Sequence, residues 1–598
     1  MTPLFKNLVE MQQHSCKENA HRKIYGTKQD DGQFVWTTYG EFGRAVDDFR
    51  GGLAGLGITR GDKVAIISAN CVEWAVGCYA TYGLGGQYVP MYESQKLEEW
   101  VYIIKDSGAR ILLVKDPEVF GQVKALVDEI PGLEYVIPLY EDASAAHDYP
   151  TLCCAGQERP IPAYIPHGEE PMGMVYTSGT TGNPKGVLLS HRSMITEIQS
   201  LMVLIRDTIP FSPEDRGLSF LPWGHIMGQL EEVHILIYNG FSSGLVRDLK
   251  EIGEDFKAIR PTKFFAVPRL YTKIHEGVLK KIGQKNVLIQ ALFHRGIKTI
   301  VRRNRGESVS PWDAAMAGLA QKLIFPKIRE LFGGRLGMAF SGGAALNQSV
   351  VDFLEALGIP LFEGYGQTET TMAVTMNIPG CRRSGSVGKP IPNAVVKIDT
   401  SISDTPEGEG EILVYGPLLM LGYHNLPEET ARTIDPDGGC RTGDIGWFDK
   451  DGFLHLTGRI KEMYKLENGK YVSPGPLEEE LKLSPYINQA MISGRNQRYN
   501  IVIVTPEEAE LEAWAKAKGL DTNSEAWKTS PGVQCLFEDE VKRLSQGFKG
   551  YEIPRKVKLV WDEWSVENAL LTPTLKLRRR RVAGKYQSLI DKMYEGGI

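Results

Sequence analysis

Residues 176–191 read YTSGTTGNPKGVLLSH. Gly179, Gly182 and Gly186 have no Cβ, so the backbone can turn sharply there and come close to a ligand. Thr177, Ser178, Thr180 and Thr181 add hydroxyl donors, and Lys185 adds a positive charge. Glycines, hydroxyls, free amides and one lysine together suit a polyanion, of which phosphate is the commonest. The stretch is not a Walker A loop: where that motif has glycine before the lysine and Ser or Thr after it, this chain has Pro184 and Gly186. Nor does it read as a flexible linker, because it runs directly from MVY into the apolar VLL.

Outward from this loop, short apolar strands alternate with amphipathic helical stretches. KVAIIS (63–68), ARILLVKD (109–116), LEYVIPLY (133–140), GLSFLP (217–222), KFFAVP (263–268), RLGMAFSGG (335–343) and IPLFEGYG (359–366) read as strands, and EFGRAVDDFRGGLAGLG (41–57) as a helix. Such alternation implies parallel sheets layered with helices. Ligands of such sheets bind beyond the strand ends, which is where a loop following MGMVY would lie. From about 384 the pattern changes to short strands and tight turns, including Asp451-Gly452, and predicts a small antiparallel or barrel subdomain. DKDG (449–452) is read as a hairpin turn rather than a calcium loop. After Gly458 a third region begins. Ser473-Pro474 marks a helix start, with the serine as cap, and YNIVIVTP (499–506) alternates like a strand, so the tail predicts a small α+β domain.

The chain has 598 residues, room for several domains, and a net charge of −6 that gives no basic field for nucleic acid. None of its eight cysteines forms a C-x-x-C pair, so neither a zinc site nor a disulfide framework is indicated, and a cytoplasmic location is expected. The N-terminus lacks a signal-peptide core. The uncharged run Trp74–Tyr92 is long enough to suggest a membrane span, but its glycines and Pro90 read better as a helix, a turn and a buried strand. Peripheral membrane contact and a homodimer stay open.

Four more stretches carry chemistry: FEGYGQTETT (362–371), CRTGDIGWF (440–448), LTGRIKEMYKLENGKYVSP (456–474) and LTPTLKLRRRR (571–581). Singly they are turn glycines, a turn acid and a solvated basic run. In this order and spacing, the set resembles the adenylate-forming superfamily of acyl-CoA synthetases, luciferases and peptide-synthetase adenylation domains, over about residues 35–590. VPRLYTKI, SGGAAL, ENGKYVSPGPLEE and LTPTLK resemble its long-chain fatty acyl-CoA synthetase branch.

The resemblance implies an α/β fold: a large N-terminal domain (1–458) of parallel and mixed sheets layered with helices, with the barrel subdomain at about 384–458, and a small mobile α+β C-terminal domain (459–598) hinged at Lys461. It implies an ATP- and Mg²⁺-dependent, AMP-forming ligase that joins a medium- or long-chain fatty acid to CoA through an acyl-adenylate. Thr177, Ser178, Gly179, Thr180, Thr181, Gly182 and Lys185 would hold the phosphates. Tyr365 would stack on adenine, with Gly343, Glu363, Gly364 and Gly366 around it. Thr368 would touch the α-phosphate and Glu369 would hold Mg²⁺. Asp444 would accept from the ribose hydroxyls, and Arg459 and Lys465 would contact ribose or phosphate. Lys576 would stabilise the adenylation transition state, His225 would sit at the carboxylate end of the acyl pocket, and Gly469 would line the CoA tunnel. Gln229 stands where some long-chain members carry a gating tryptophan, which puts chain-length control in question. The rival readings are an acyl-AMP ligase serving a carrier protein, a nucleotide sensor without turnover, and a phosphate-loop NTPase.

Overall fold

The computed structural model describes residues 5–177, 183–208, 211–343, 346–401, 408–572 and 575–595. Strand–helix alternation builds two large sheets. In the first, seven strands run in the order Gly422–Tyr423, Lys185–Ser190, Pro171–Thr177, Gln87–Met91, Lys63–Ile67, Ile111–Val114 and Tyr135–Pro138. The last five are mutually parallel, whereas Lys185–Ser190 returns antiparallel to Pro171–Thr177. The strands on either side of the quoted loop therefore pair as a hairpin at one side of a parallel sheet. Trp74–Tyr92 resolves into the helix Val72–Tyr82, a glycine turn and the strand Gln87–Met91. No helix among the described residues is long and apolar enough to cross a membrane.

The second sheet has the order Lys263–Ala266, Met338–Gly342, Leu361–Gln367, Met372–Asn377 and Lys389–Pro390. A four-stranded sheet, Phe34–Thr38, Lys23–Lys28, Ser242–Leu245 and Arg216–Ser219, lies nearby, and Phe220 and Phe264 stack across to it. The expected helix at 41–57 runs Tyr39–Gly55. It starts earlier because Thr38 caps it and Glu41 returns the bond to the Thr38 amide.

Residues 395–459 form a four-stranded antiparallel sheet: Val395–Asp399, Gly410–Tyr415, Cys440–Phe448 and Leu454–Arg459. DKDG turns between the last two strands, with the Gly452 amide donating to the Asp449 carbonyl at 2.9 Å. The C-terminal region packs the helices Pro474–Leu481 and Pro531–Leu544 on the sheet Ile487–Ser493, Ile501–Pro506 and Lys556–Leu559, around Leu481, Val502, Val504 and Phe537.

One local expectation changes. Ser473 occupies the N-cap position of Pro474–Leu481, but its hydroxyl caps nothing and has no hydrogen-bond partner. The Gly458 backbone comes so close that a Cβ added there would lie 1.7 Å from Ser473 Oγ. The hydroxyl is thus packed on the chain just before residue 459 rather than folded over the helix start, and only glycine fits at 458.

Candidate active site

Thr177 and Lys185 face each other in register at the mouth of the 171–190 hairpin. Ser178, Gly179, Thr180, Thr181 and Gly182 lie outside the described residues. The Lys185 ammonium contacts Glu429 at 2.6 Å and lies 4.9 Å from the centre of the Tyr423 ring. Lys185 holds the Glu429 carboxyl below the usual carboxylate range. Tyr423 reaches this point because Gly422–Tyr423 pairs with Val187 and Leu188 on the outer edge of the large sheet. Its hydroxyl donates to Glu369 Oε1 at 2.7 Å. Tyr423 thus joins Lys185 to the carboxylate of the 362–371 motif. Neither Tyr423 nor Glu429 stands out in the sequence.

That motif forms the strand Leu361–Gln367 and a tight turn, Thr368–Thr370. Thr368 is buried. Two strained residues follow the turn, Thr371 at φ 61° and Met372 at φ 151°. Strain of this kind costs of order 1–3 kcal/mol and gathers at functional sites. The Thr371 hydroxyl anchors it by donating to the Leu418 carbonyl at 2.6 Å. Gly366 is obligatory, since a Cβ there would fall 1.3 Å from the Met372 carbonyl oxygen. Glu363 pairs with Arg382 at 2.6 Å; burial raises its carboxyl and Arg382 opposes the rise. Gly364 adjoins it on the same strand, and Gly343 follows the strand Met338–Gly342 at φ 86°.

Asp444 is buried and shared. Its Oδ2 accepts from the Tyr365 hydroxyl at 2.8 Å, and its Oδ1 contacts Arg459 Nε at 2.7 Å. Burial raises the Asp444 carboxyl, while Arg459, Tyr365 and Lys576 pull it back. Each oxygen keeps a lone pair for a further donor. Lys576, from the far end of the chain, reaches the same place. Burial and the Arg459 charge lower its ammonium, whereas Asp444 and Glu462 support it. Lys576 and Arg459 are exposed while Asp444 beside them is buried, so the group opens to solvent as a cleft.

His225 borders that cleft. Its Nδ1 accepts from the Met227 amide at 3.1 Å, which leaves the proton on Nε2. Burial and the Lys576 charge push the imidazole down to about 4, so it is neutral at pH 7. The turn that carries His225 is fixed by Glu232. This carboxylate accepts from the amides of Phe220 and Leu221, the Trp223 indole and the Ser219 hydroxyl. Glu232 was missed in the sequence because a charged pair, Glu231-Glu232, reads as an exposed helix face.

Near the segment that carries Glu231 and Glu232 lies a narrow cavity with about 30 Å³ of open space, lined by Met202, Phe211, Phe241, Phe265 and Phe340 together with the charged Arg216 and the two glutamates. Lys263 also lines it, buried, 2.8 Å from Asp215 and 3.5–3.6 Å from the centres of the Phe241 and Phe211 rings. Lys263 pairs in register with Met338, and Gly342, against Met227, lies four residues further along that strand. Glu231 and Glu232, on the segment that follows the His225 turn, line the same cavity. Gln229 is buried with its Nε2 unpartnered and opens a wide-turned helical segment, Gln229–His234.

Three expected residues stand apart. Lys461 is exposed in the turn after Arg459. Lys465 lies over the Tyr471 ring at 5.0 Å, and Gly469, at φ 84°, sits at the exposed tip of the same small hairpin. The C-terminal region touches the larger one through polar contacts: Arg578 to Glu99 at 2.8 Å, Arg269 to Asn488 at 2.6 Å, and Lys280 to Glu510 at 2.8 Å. The run 578–581 is thus only partly solvated, because Arg579 is also taken up by Glu478.

Comparison with known proteins places this geometry. Residues 13–424 match the family described as AMP-binding enzyme, and residues 462–597 match the AMP-binding enzyme C-terminal domain. The chain is 30% identical to the peroxisomal long chain acyl-CoA synthetase 7 of Arabidopsis thaliana, over 97% of this chain and 85% of that protein. It is 29% identical to the long-chain-fatty-acid–CoA ligase 1 of Homo sapiens, over 98% and 86%. In fold it resembles the A domain of a carboxylic acid reductase from Segniliparus rugosus, with TM-score 0.75, 20% identity, and 99% and 95% of the two chains covered. The chain belongs to the AMP-binding enzyme family.

Proposed function

We propose that this enzyme is an AMP-forming acid–CoA ligase that activates medium- to long-chain fatty acids through an acyl-adenylate. The observation that carries the reading is the convergence of Lys576, Arg459, Asp444 and His225 on one cleft, from three distant parts of the chain. Asp444 and Tyr365 form a hydrogen-bonded ledge for a nucleoside, the carboxylate facing the ribose hydroxyls and the ring facing the base. Lys185, beside the loop, suits the outer phosphates.

The reaction needs position and charge rather than a protein nucleophile. A carboxylate oxygen attacks the α-phosphorus, and pyrophosphate leaves. The CoA sulfur then attacks the acyl carbon, and AMP leaves. His225, neutral with its proton on Nε2, donates to the incoming carboxylate without competing for the phosphate. Lys576 stabilises the charge that builds on the α-phosphoryl oxygens.

Glu369 fits Mg²⁺, which usually binds one or two carboxylates together with substrate phosphates. It is half-buried beside the cleft with one oxygen engaged by Tyr423, and no cluster of three or more metal-binding side chains occurs among the described residues. The ion would neutralise phosphate charge there.

The two halves of the work are divided at Lys461, between an adenylating domain (1–458) and a lid (459–598). With Lys576 in the cleft the chain is arranged for the first half-reaction. Rotation about Lys461 would withdraw Lys576 and bring the Gly469 hairpin, with Lys465, toward the thiol path.

The test is mass spectrometry of mixtures of ATP, Mg²⁺ and straight-chain acids from acetate upward, with and without CoA. Acyl-CoA, AMP and pyrophosphate with medium or long chains support the reading. Acyl-AMP that persists with CoA present indicates a carrier-protein acceptor, and no pyrophosphate with any acid indicates a nucleotide sensor.

A further inference from the structure

The helix Pro311–Leu323 packs inside out. Its buried face is small: Ala317 and Ala320 press against the helix Val287–Asn304, where a Cβ on Gly296 would lie 2.6 Å from the Ala320 methyl. Its large apolar residues point outward. Trp312, Met316, Leu319 and Leu323 recur at i, i+4, i+7 and i+11, the spacing of one helical face. Trp312 is 61% exposed, Leu319 40% and Leu323 55%. In the neighbouring helix the first turn exposes Val287 and Leu288, at 77% and 80%. Ordinarily a stripe of this kind faces a core, and a contiguous exposed one marks an interaction surface.

The charge around it identifies the partner. Residues 285–329 hold nine lysines and arginines against two acids, a surplus of seven positive charges in a chain whose net charge is −6. Both acids, Glu307 and Asp313, are already paired, with Arg302 and Arg295. Lys285, Lys298 and Lys322 are exposed beside the apolar residues. An outward apolar face with tryptophan and leucine, flanked by cations, is the composition of a helix that lies in a membrane interface. A second copy of this chain would bring the same positive field against itself, which opposes pairing through this face.

We propose that the hairpin of helices Val287–Asn304 and Pro311–Leu323 docks the enzyme on an anionic lipid surface, with Trp312, Leu319 and Leu323 entering the headgroup boundary and the lysines meeting lipid phosphates. This goes beyond the ligase reading and does not depend on it.

The test uses the full chain with vesicles of phosphatidylcholine alone and of phosphatidylcholine mixed with phosphatidylglycerol. Co-sedimentation is expected with the mixed vesicles only, reduced by salt, and accompanied by a blue shift in Trp312 emission read as the difference from Trp312→Phe. A triple variant (Trp312→Gln, Leu319→Gln, Leu323→Gln) should lose at least about tenfold in binding, because the apolar area that enters the headgroup boundary is removed. Lys285→Gln with Lys322→Gln should lose binding while leaving the apolar face intact. Absence of binding by the native chain, or binding unchanged in the triple variant, overturns the proposal. So does a native dimer that the triple variant dissolves, because the stripe would then be an interface between copies. Circular dichroism of the variants separates loss of docking from loss of fold.

Discussion

Arg578 Nη2 donates to Glu99 Oε1 at 2.8 Å, and this bond ties the segment that carries Lys576 to the first turn of a helix in the large domain. Both side chains are mostly shielded from solvent, at 16% and 22% exposure. The bond exists only while Lys576 is in the cleft, if the C-terminal region rotates as proposed. A charge-assisted hydrogen bond of this kind contributes about 1.5–3 kcal/mol. Glu99→Gln should therefore slow acyl-adenylate formation by about tenfold, while thioester formation from supplied acyl-AMP stays the same or speeds up. Stopped-flow measurement of each half-reaction checks this, and equal slowing of both would assign the pair a purely structural role.

Lys576→Ala should reduce adenylation by ~10²–10³, the range for losing one preorganised charge at a transition state. It should spare thioester formation from acyl-AMP. The pH dependence follows from the lowered ammonium of Lys576. The group acts when protonated, so adenylation falls as pH rises through its pKa, which lies below that of an ordinary lysine. In Lys576→Arg the alkaline fall should disappear, because guanidinium stays charged. A pH–rate profile of pyrophosphate release for both proteins reads this directly.

Much of the frame is legible in the sequence, because strands and helices here follow local apolar patterns. KFFAVP and IPLFEGYG overlap the strands Lys263–Ala266 and Leu361–Gln367, and Trp74–Tyr92 divides into helix, turn and strand. What local pattern misses is pairing at a distance. Arg578 and Glu99 are 479 positions apart, and their side chains read alone as solvated charges. Tyr423 joins Lys185 to Glu369 only because two residues of chain return to the sheet edge. Ser473 fails as a cap because of the Gly458 backbone, a contact that helix-start rules do not contain.

Lys185 is engaged by Glu429, so a polyphosphate held as proposed would have to displace that carboxylate. Glu429→Gln should lower the KM for ATP about threefold and leave kcat nearly unchanged, a modest effect because the pair is partly exposed. A raised KM would mean that Glu429 orients Lys185 rather than competes for it.

If the acyl tail enters the cavity that Lys263 lines, it meets the Lys263–Asp215 ion pair. Burial lowers Lys263 to about 8, so it is still largely charged at pH 7 and repels a methyl terminus. Changing Lys263 alone would strand a buried carboxylate, at about 3–5 kcal/mol. The double variant Lys263→Met with Asp215→Asn avoids this. It should raise kcat/KM by about tenfold for acids longer than the native optimum, since two further buried methylenes are worth about 1.6 kcal/mol. An unchanged chain-length profile would place the acyl tail elsewhere.

In the proposed reaction an organic acid attacks the α-phosphorus of ATP in the cleft where Lys576, Asp444 and His225 meet. Exchange of labelled pyrophosphate into ATP, measured without CoA, reports that step alone. Exchange should require a fatty acid and fall ~10²–10³-fold in Lys576→Ala. Exchange that proceeds without acid, exchange undiminished in Lys576→Ala, or ADP as the nucleotide product would contradict that reaction.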